Sequence, residues 1–147
     1  MYERIMVAVD GSQAARCALD EAVKLAQAMR AEVLAVCVVA HLPQMVDIGG
    51  GLAEDSRVSQ AVTDAATNAL GEARELFAGK HVVGTVRAID SYGESIAQVL
   101  TRAASEFDAD LIVMGTHGRT GVKRLLLGSV AESLLRETTV PLLLMKA

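Results

Sequence analysis

Three glycines lead into a basic and then apolar run between Gly115 and Ser129 (GTHGRTGVKRLLLGS), and the stretch closes on a Gly-Ser pair. Residues of these types in this order can hold phosphate. Glycine lets the backbone come close to a ligand because no Cβ stands in the way, and the unpaired N–H groups of a helix's first turn favour an anion. The same glycines would also suit an ordinary loop, since glycine is the default residue of turns. A second distinctive set is Asp10-Gly11-Ser12. If Asp10 faces the same crevice, its carboxylate can accept two hydrogen bonds from a ribose diol. Taken alone, Asp10 reads equally well as a turn residue that caps the following helix.

Other phosphate and catalytic signatures fail on spacing. GxxxxGK[ST] and GxGxxG are absent, as are a GxSxG elbow, an HExxH pair and an EF-hand loop. Cys17 and Cys37 form no CxxC and have no histidines in ligand spacing, so they read as small core residues. His41 and His81 read as exposed. A net charge of −4, two Phe, two Tyr and no Trp argue against a nucleic-acid partner. Hydrophobic residues make up 52% of the 147-residue chain, but they fall in strand-length runs, which excludes a membrane-spanning helix. The N-terminal MYERIMVAVD lacks a signal-peptide pattern, and the expected location is cytoplasmic. One domain, 1–147, accommodates the length.

The elements that must position these residues follow from hydrophobic period. Ile5 to Val9 is a continuous apolar run, the mark of a strand covered on both faces. Ser12 is the expected N-cap of a helix whose apolar side includes Ala15, Leu19, Ala22, Val23 and Ala26. Glu32 to Val39 is a second buried strand. His41 to Arg57, with Pro43 and three consecutive glycines, is the expected long surface loop and a possible lid over a ligand. A helix from about Asp55 to Phe77 follows, with Gly79 placed to stop it. His81 to Ile89 is a partly polar strand suited to a sheet edge. Ser91 to Glu106 is a helix with Ser91 and Glu94 in capping-box spacing, and Asp110 to Gly115 is a fourth strand. Ser129-Val-Ala-Glu132 is a second capping box, opening a helix that runs to Thr138 and Thr139. Val140 to Met145 is the last strand, put at an edge by Pro141. This βαβαβαβαβ string predicts a parallel sheet with helices on both faces. Its ligand crevice lies where the chain reverses direction across the sheet, beyond the carboxyl ends of the flanking strands.

VAVDGS at 7–12, DLIVMGTHGRTG at 110–121, LLLGSVAESLLR at 125–136 and VPLLLM at 140–145 resemble, in order and separation, the blocks of the universal stress protein family over essentially the whole chain. Gly115, Gly118 and Gly128-Ser129 reproduce the G-2x-G-9x-G(S/T) pattern of its ATP-binding branch. The resemblance implies an α/β fold, an open five-stranded parallel sheet of Rossmann-like type in the order 3-2-1-4-5, and a homodimer paired through the last strands. It implies that Asp10 binds the ribose of ATP, that the backbone around Val38 meets the adenine, and that Val9 and Met114 lie near the base or sugar. Gly115 and Gly118 would let the chain wrap the phosphates, while Gly128, Ser129 and Val130 would offer N–H groups and a hydroxyl. Mg²⁺ or Mn²⁺ would be held mainly through phosphate oxygens, for no carboxylate cluster stands ready to hold it alone.

His117 could contact a γ-phosphate or act as a base, although a solvated loop histidine is its ordinary state. Arg119, Lys123 and Arg124 add positive charge to the loop. Phosphoryl transfer needs positioning, charge neutralisation and a group to orient water, and only His117 offers the third. The expectation is a nucleotide-binding regulatory protein with little or no hydrolysis and no assigned catalytic residue. The alternatives are a nucleotide-independent dimeric module and a slow ATPase; ADP, AMP and cyclic AMP are further ligand candidates.

Overall fold

The structure is a computed structural model describing residues 1–39, 52–117 and 127–147, with side chains described outside 52–62. Along the chain run β1 (Arg4–Ala8), α1 (Gln13–Met29), β2 (Glu32–Val39), α2 (Leu52–Gly79), β3 (Gly84–Asp90), α3 (Ile96–Phe107), β4 (Leu111–Gly115), α4 (Ser129–Glu137) and β5 (Leu142–Met145). The strands form one sheet in the order β3-β2-β1-β4-β5, all pairs parallel. Continuous apolar runs fill the middle of it because helices cover both sides there. Ile5, Met6 and Val7 of β1 and Ile112 and Val113 of β4 have no exposed surface. The two partly polar or proline-flanked strands, β3 and β5, take the edges, as their composition predicts.

The chain starts in the centre, steps outward twice, then crosses back and steps outward the other way. With right-handed crossovers this reversal puts α1 and α2 on one face and α3 and α4 on the other. Alternation along each strand divides the core accordingly. Ile5, Val7, Val9, Val33, Ala35, Cys37, Leu111 and Val113 pack with α1 and α2. Met6, Leu34, Val36, Ile112 and Met114 pack with α3 and α4.

At the amino end of the sheet, Asp110 clamps the start of β1. Its carboxylate accepts the backbone N–H groups of Glu3 (2.8 Å) and Arg4 (3.0 Å), while its own N–H donates to Arg4 O. The Arg4 guanidinium lies over the Phe107 ring, 4.2 Å from its centroid, donates through Nε to Phe107 O and pairs with Glu32 at 2.8 Å.

Several element ends differ from the sequence reading. α2 begins at Leu52, so part of the expected 41–57 loop is helix; the remainder lies outside the described residues. α2 does end at Gly79, but that glycine is not its left-handed stop. The stop is His81, which is left-handed (φ 55) and lets Val82 N–H reach back to Phe77 O. This delays β3 to Gly84, where the Phe77 ring occupies the space a side chain would need. α3 begins at Ile96, capped reciprocally by Ser95 and Gln98 rather than by Ser91 and Glu94. The cause is a tight turn: Tyr92 (φ 45) and Gly93 (φ 85) are both left-handed, Asp90 accepts Tyr92 N–H, and Ser91 O accepts Glu94 N–H. The Ser129/Glu132 capping box is also absent. Gly128 is the N-cap and Ser129 the first helical residue, while the Glu132 carboxylate pairs with Arg136 at 2.8 Å. The Ser12 cap stands as expected, its hydroxyl accepting Ala15 N–H at 3.2 Å.

Three helices end on a left-handed residue that is not glycine: Arg30 (φ 56), His81 (φ 55) and Asp108 (φ 56). An L side chain in that region costs about 1 kcal/mol, which glycine avoids. Arg30 is exposed, so Arg30→Gly should raise stability by up to about 1 kcal/mol, or a few degrees in Tm. Asp108→Gly should gain less, because Asp tolerates the conformation better. Thermal melts followed by circular dichroism check this; a lower Tm for Arg30→Gly would contradict the strain argument.

Candidate functional site

Parallel pairing of β1 with β4, Val7 beside Val113, brings the two chemically distinctive strand ends together. Beyond β1, Asp10 is half-buried and its Oδ1 accepts the backbone N–H of Ser12 at 2.8 Å. Gly11 between them is left-handed (φ 82), a conformation that suits glycine. Asp10 is therefore a turn residue, as one reading anticipated, but the cap of α1 is Ser12 and not Asp10. Its second carboxylate oxygen has no partner among the described residues and remains available.

Beyond β4, Gly115 has a structural reason of its own. A Cβ there would stand 2.6 Å from Ala14 Cβ and 2.8 Å from Ala14 C, so the first turn of α1 rests directly on the end of β4. Thr116 comes next and is buried. Its N–H donates to Met145 O of β5 (2.9 Å) and its carbonyl accepts Gly128 N–H (2.7 Å), so one residue ties the last strand to the start of α4. Gly128 is held so tightly that a Cβ would lie 2.5 Å from Thr116 O. Its N–H is consequently spent within the protein, contrary to the expectation that it faces a ligand. His117 is half-buried, with Nδ1 2.9 Å from the Thr116 hydroxyl. Gly118, Arg119, Lys123 and Arg124 lie outside the described residues.

α4 begins without a side-chain cap, since glycine has none to offer. Gly128 O accepts Glu132 N–H, the first intrahelical bond. The N–H groups of Ser129, Val130 and Ala131 therefore have no acceptor among the described residues, and the positive end of the helix dipole adds to them. Exposed Ser129 also presents its hydroxyl.

The two faces of the sheet differ at this edge. On the α1/α2 face Val9 and Cys37 are each 6% exposed, closing that side. The Val9 side chain thus belongs to the core there, and its N–H donates to Val36 O. On the α3/α4 face, half-buried Ala8, Val38, Ile89, Leu127 and Val130 form an apolar floor around buried Met114. Val38 and Ile89 are register partners within that floor. Ala8, Ile89, Leu127 and Thr116 were missed by sequence reasoning. The signal for the first two was strand parity: both share the face of Val38. Elsewhere, hydrogen bonds donated to Glu72 and Glu94 hold the Arg16 and Arg102 guanidiniums above their ordinary pKa, in exposed pairs that join α1 to α2 and the turn before α3 to α3 itself.

A sequence model of the universal stress protein family matches residues 1–146. Universal stress protein MJ0531 of Methanocaldococcus jannaschii is 32% identical over 148 residues, covering 99% of this chain and 83% of that protein. A solved structure of a universal stress protein family member from Burkholderia pseudomallei is similar at TM-score 0.79 and 35% identity, over 99% of this chain and 97% of the other. The universal stress protein of Archaeoglobus fulgidus, solved in complex with dAMP, is similar at TM-score 0.69 and 26% identity, over 99% and 98% of the two chains. A whole-length match in sequence, the β3-β2-β1-β4-β5 order and the glycine pattern converge: the chain belongs to the universal stress protein family.

Proposed function

We propose that this chain binds an adenine nucleotide, ATP by the glycine pattern of its branch, and acts as a nucleotide-dependent regulatory protein with little or no hydrolysis of its own. The observation that carries the reading is the uncapped start of α4, with three N–H donors unspent among the described residues, at the reversal of strand order where the Asp10 turn also lies. The dAMP complex of the Archaeoglobus fulgidus relative supports a nucleotide as the ligand class. In this reading the free oxygen of Asp10 takes the ribose, the floor at Val38 takes the base, and Ser129, Val130 and Ala131 donate to the phosphates. A divalent ion, Mg²⁺ or Mn²⁺, would arrive with the phosphates; among the described residues no three His, Cys, Asp or Glu gather into a ligand set. His117, held against Thr116, is the sole described group with the chemistry of a base at this loop, which favours holding a triphosphate over cutting one.

Calorimetric titration tests this. ATP should bind the unchanged protein, and Asp10→Ala should weaken it by at least about tenfold, the worth of a hydrogen bond to a charged acceptor. No binding of ATP, ADP, AMP or cyclic AMP below the millimolar range would leave the nucleotide-independent interaction module. Turnover of several per second, abolished by Asp10→Ala, would instead make the protein an ATPase. A homodimer through β5 completes the proposal: Leu142 to Met145 are apolar, half-buried and at the sheet edge. Light scattering should then give twice the chain mass. Among the described residues no helix is long and apolar enough to cross a membrane, and the cytoplasm is the proposed location.

A further inference from the structure

Among the described residues only two polar side chains are buried, Ser91 at 5% exposure and Thr116 at 8%. Both stand just beyond the carboxyl end of a strand, on the ligand edge of the sheet. The Thr116 hydroxyl is engaged with His117. Ser91 differs. Its backbone is fully used, N–H to Val39 O at 3.0 Å and carbonyl from Glu94 N–H at 2.9 Å, but its hydroxyl has no hydrogen-bond partner among the described residues. No described side-chain oxygen is both sealed and unpaired, so the Ser91 oxygen keeps an opening to solvent. A nearly buried hydroxyl in that condition is matched from outside the protein, by water or by a ligand group that displaces it.

Position says what that group is. The Ser91–Val39 bond extends the β3–β2 pairing by one residue, and strand alternation carries Ser91 to the face of Ile89, the partner of Val38. Ser91 therefore stands at the far end of the apolar floor formed by Ile89, Val38 and Ala8. Asp10, two residues beyond Ala8 and just past the end of β1, stands at the near end. Register puts Asp10 level with Val38 and Ile89, so two interstrand spacings and two residues along the strand separate it from Ser91, about 12 Å between backbones. That matches a purine nucleoside laid across the strand ends, its ribose diol at one end and the far edge of its base at the other; a single-ring base falls short.

We infer that Ser91 is the residue that selects the base, its hydroxyl oxygen accepting a hydrogen bond from the exocyclic amino group of adenine. The inference rests on the nucleotide reading above and adds to it a side chain that reads the base. The glycine pattern would thus define a phosphate holder, and Ser91 would decide which nucleotide it holds.

Titration of the 147-residue protein and of Ser91→Ala with ATP and with purine riboside triphosphate, which lacks the amino group, tests it. The unchanged protein should prefer ATP by about five- to tenfold, as one neutral hydrogen bond implies. Ser91→Ala should lose that factor for ATP and no longer distinguish the two ligands. Its ligand-free Tm should be equal or higher, because the removed hydroxyl had no partner in the protein. Equal affinity of the unchanged protein for both nucleotides overturns the inference, as does a preference that survives in Ser91→Ala. Failure of the unchanged protein to bind either nucleotide overturns the nucleotide reading and this inference together, and is visible before any variant is made.

Discussion

Valine in place of Gly115 should lower the unfolding free energy by about 2–3 kcal/mol, the range for overpacking a tight interior contact. For a chain of this length that is a fall in Tm of roughly 5–10 °C. The added Cβ would meet Ala14 Cβ at 2.6 Å and the Ala14 backbone at 2.8 and 3.1 Å, and neither is the mobile end of a long side chain. The first turn of α1 must retreat from β4, and the Asp10–Ser12 turn retreats with it. Nucleotide affinity should therefore fall along with stability. A cycle with Ala14→Gly separates the contacts. It removes the 2.6 Å contact but leaves the backbone ones, so rescue in the double variant should be partial. An unchanged Tm for Gly115→Val would show that the helix yields at no cost.

At the opposite end of the sheet, Asp110→Ala should cost about 3 kcal/mol while leaving nucleotide affinity unchanged in the folded protein. The carboxylate accepts two backbone N–H bonds at 2.8 and 3.0 Å, each a hydrogen bond to a charged group worth roughly 1.5–3 kcal/mol. Part of that is offset because Glu3 is exposed and its N–H can turn to water. Asp110→Asn should fall between, since the amide keeps one acceptor oxygen and turns a donor toward the other N–H. Denaturant unfolding gives the first quantity and titration the second. An affinity loss larger than the loss of folded protein would mean that the two ends of the sheet are coupled.

Both sites sit in segments that the sequence singled out, yet with different legibility. DLIVMG announced a strand because buried parallel strands are written as unbroken apolar runs. It did not announce that Asp110 holds β1, since that contact spans more than a hundred positions of chain. Strand order was readable because alternation of strands and helices leaves few arrangements, and the family resemblance picked one of them. The beginnings of α3 and α4 were misread for one physical reason. Ser91 and Ser129 have the composition of caps, but tertiary hydrogen bonds decide. Tyr92 and Gly93 turn left-handed under Asp90, and Gly128 is pulled extended onto Thr116 O. Asp10 and Gly115 were legible as distinctive strand ends because their chemistry is local, while Gly118 lies outside the described residues. Ala8, Ile89 and Ser91 were not, because their relevance depends on which side of the sheet stays open, and only the packed helices determine that.

The sheet's two sides, one closed at the ligand edge by Val9 and Cys37 and the other left open around Val38, divide the demands that selection can place on the chain. Substitutions under α1 and α2 are judged by stability alone, so that half can drift among apolar residues of similar volume without altering what is bound. On the proposed nucleotide reading, substitutions along the open edge are judged by the ligand, where a single hydroxyl or methyl group would change the outcome. Such a scaffold can acquire a new ligand preference without first becoming less stable.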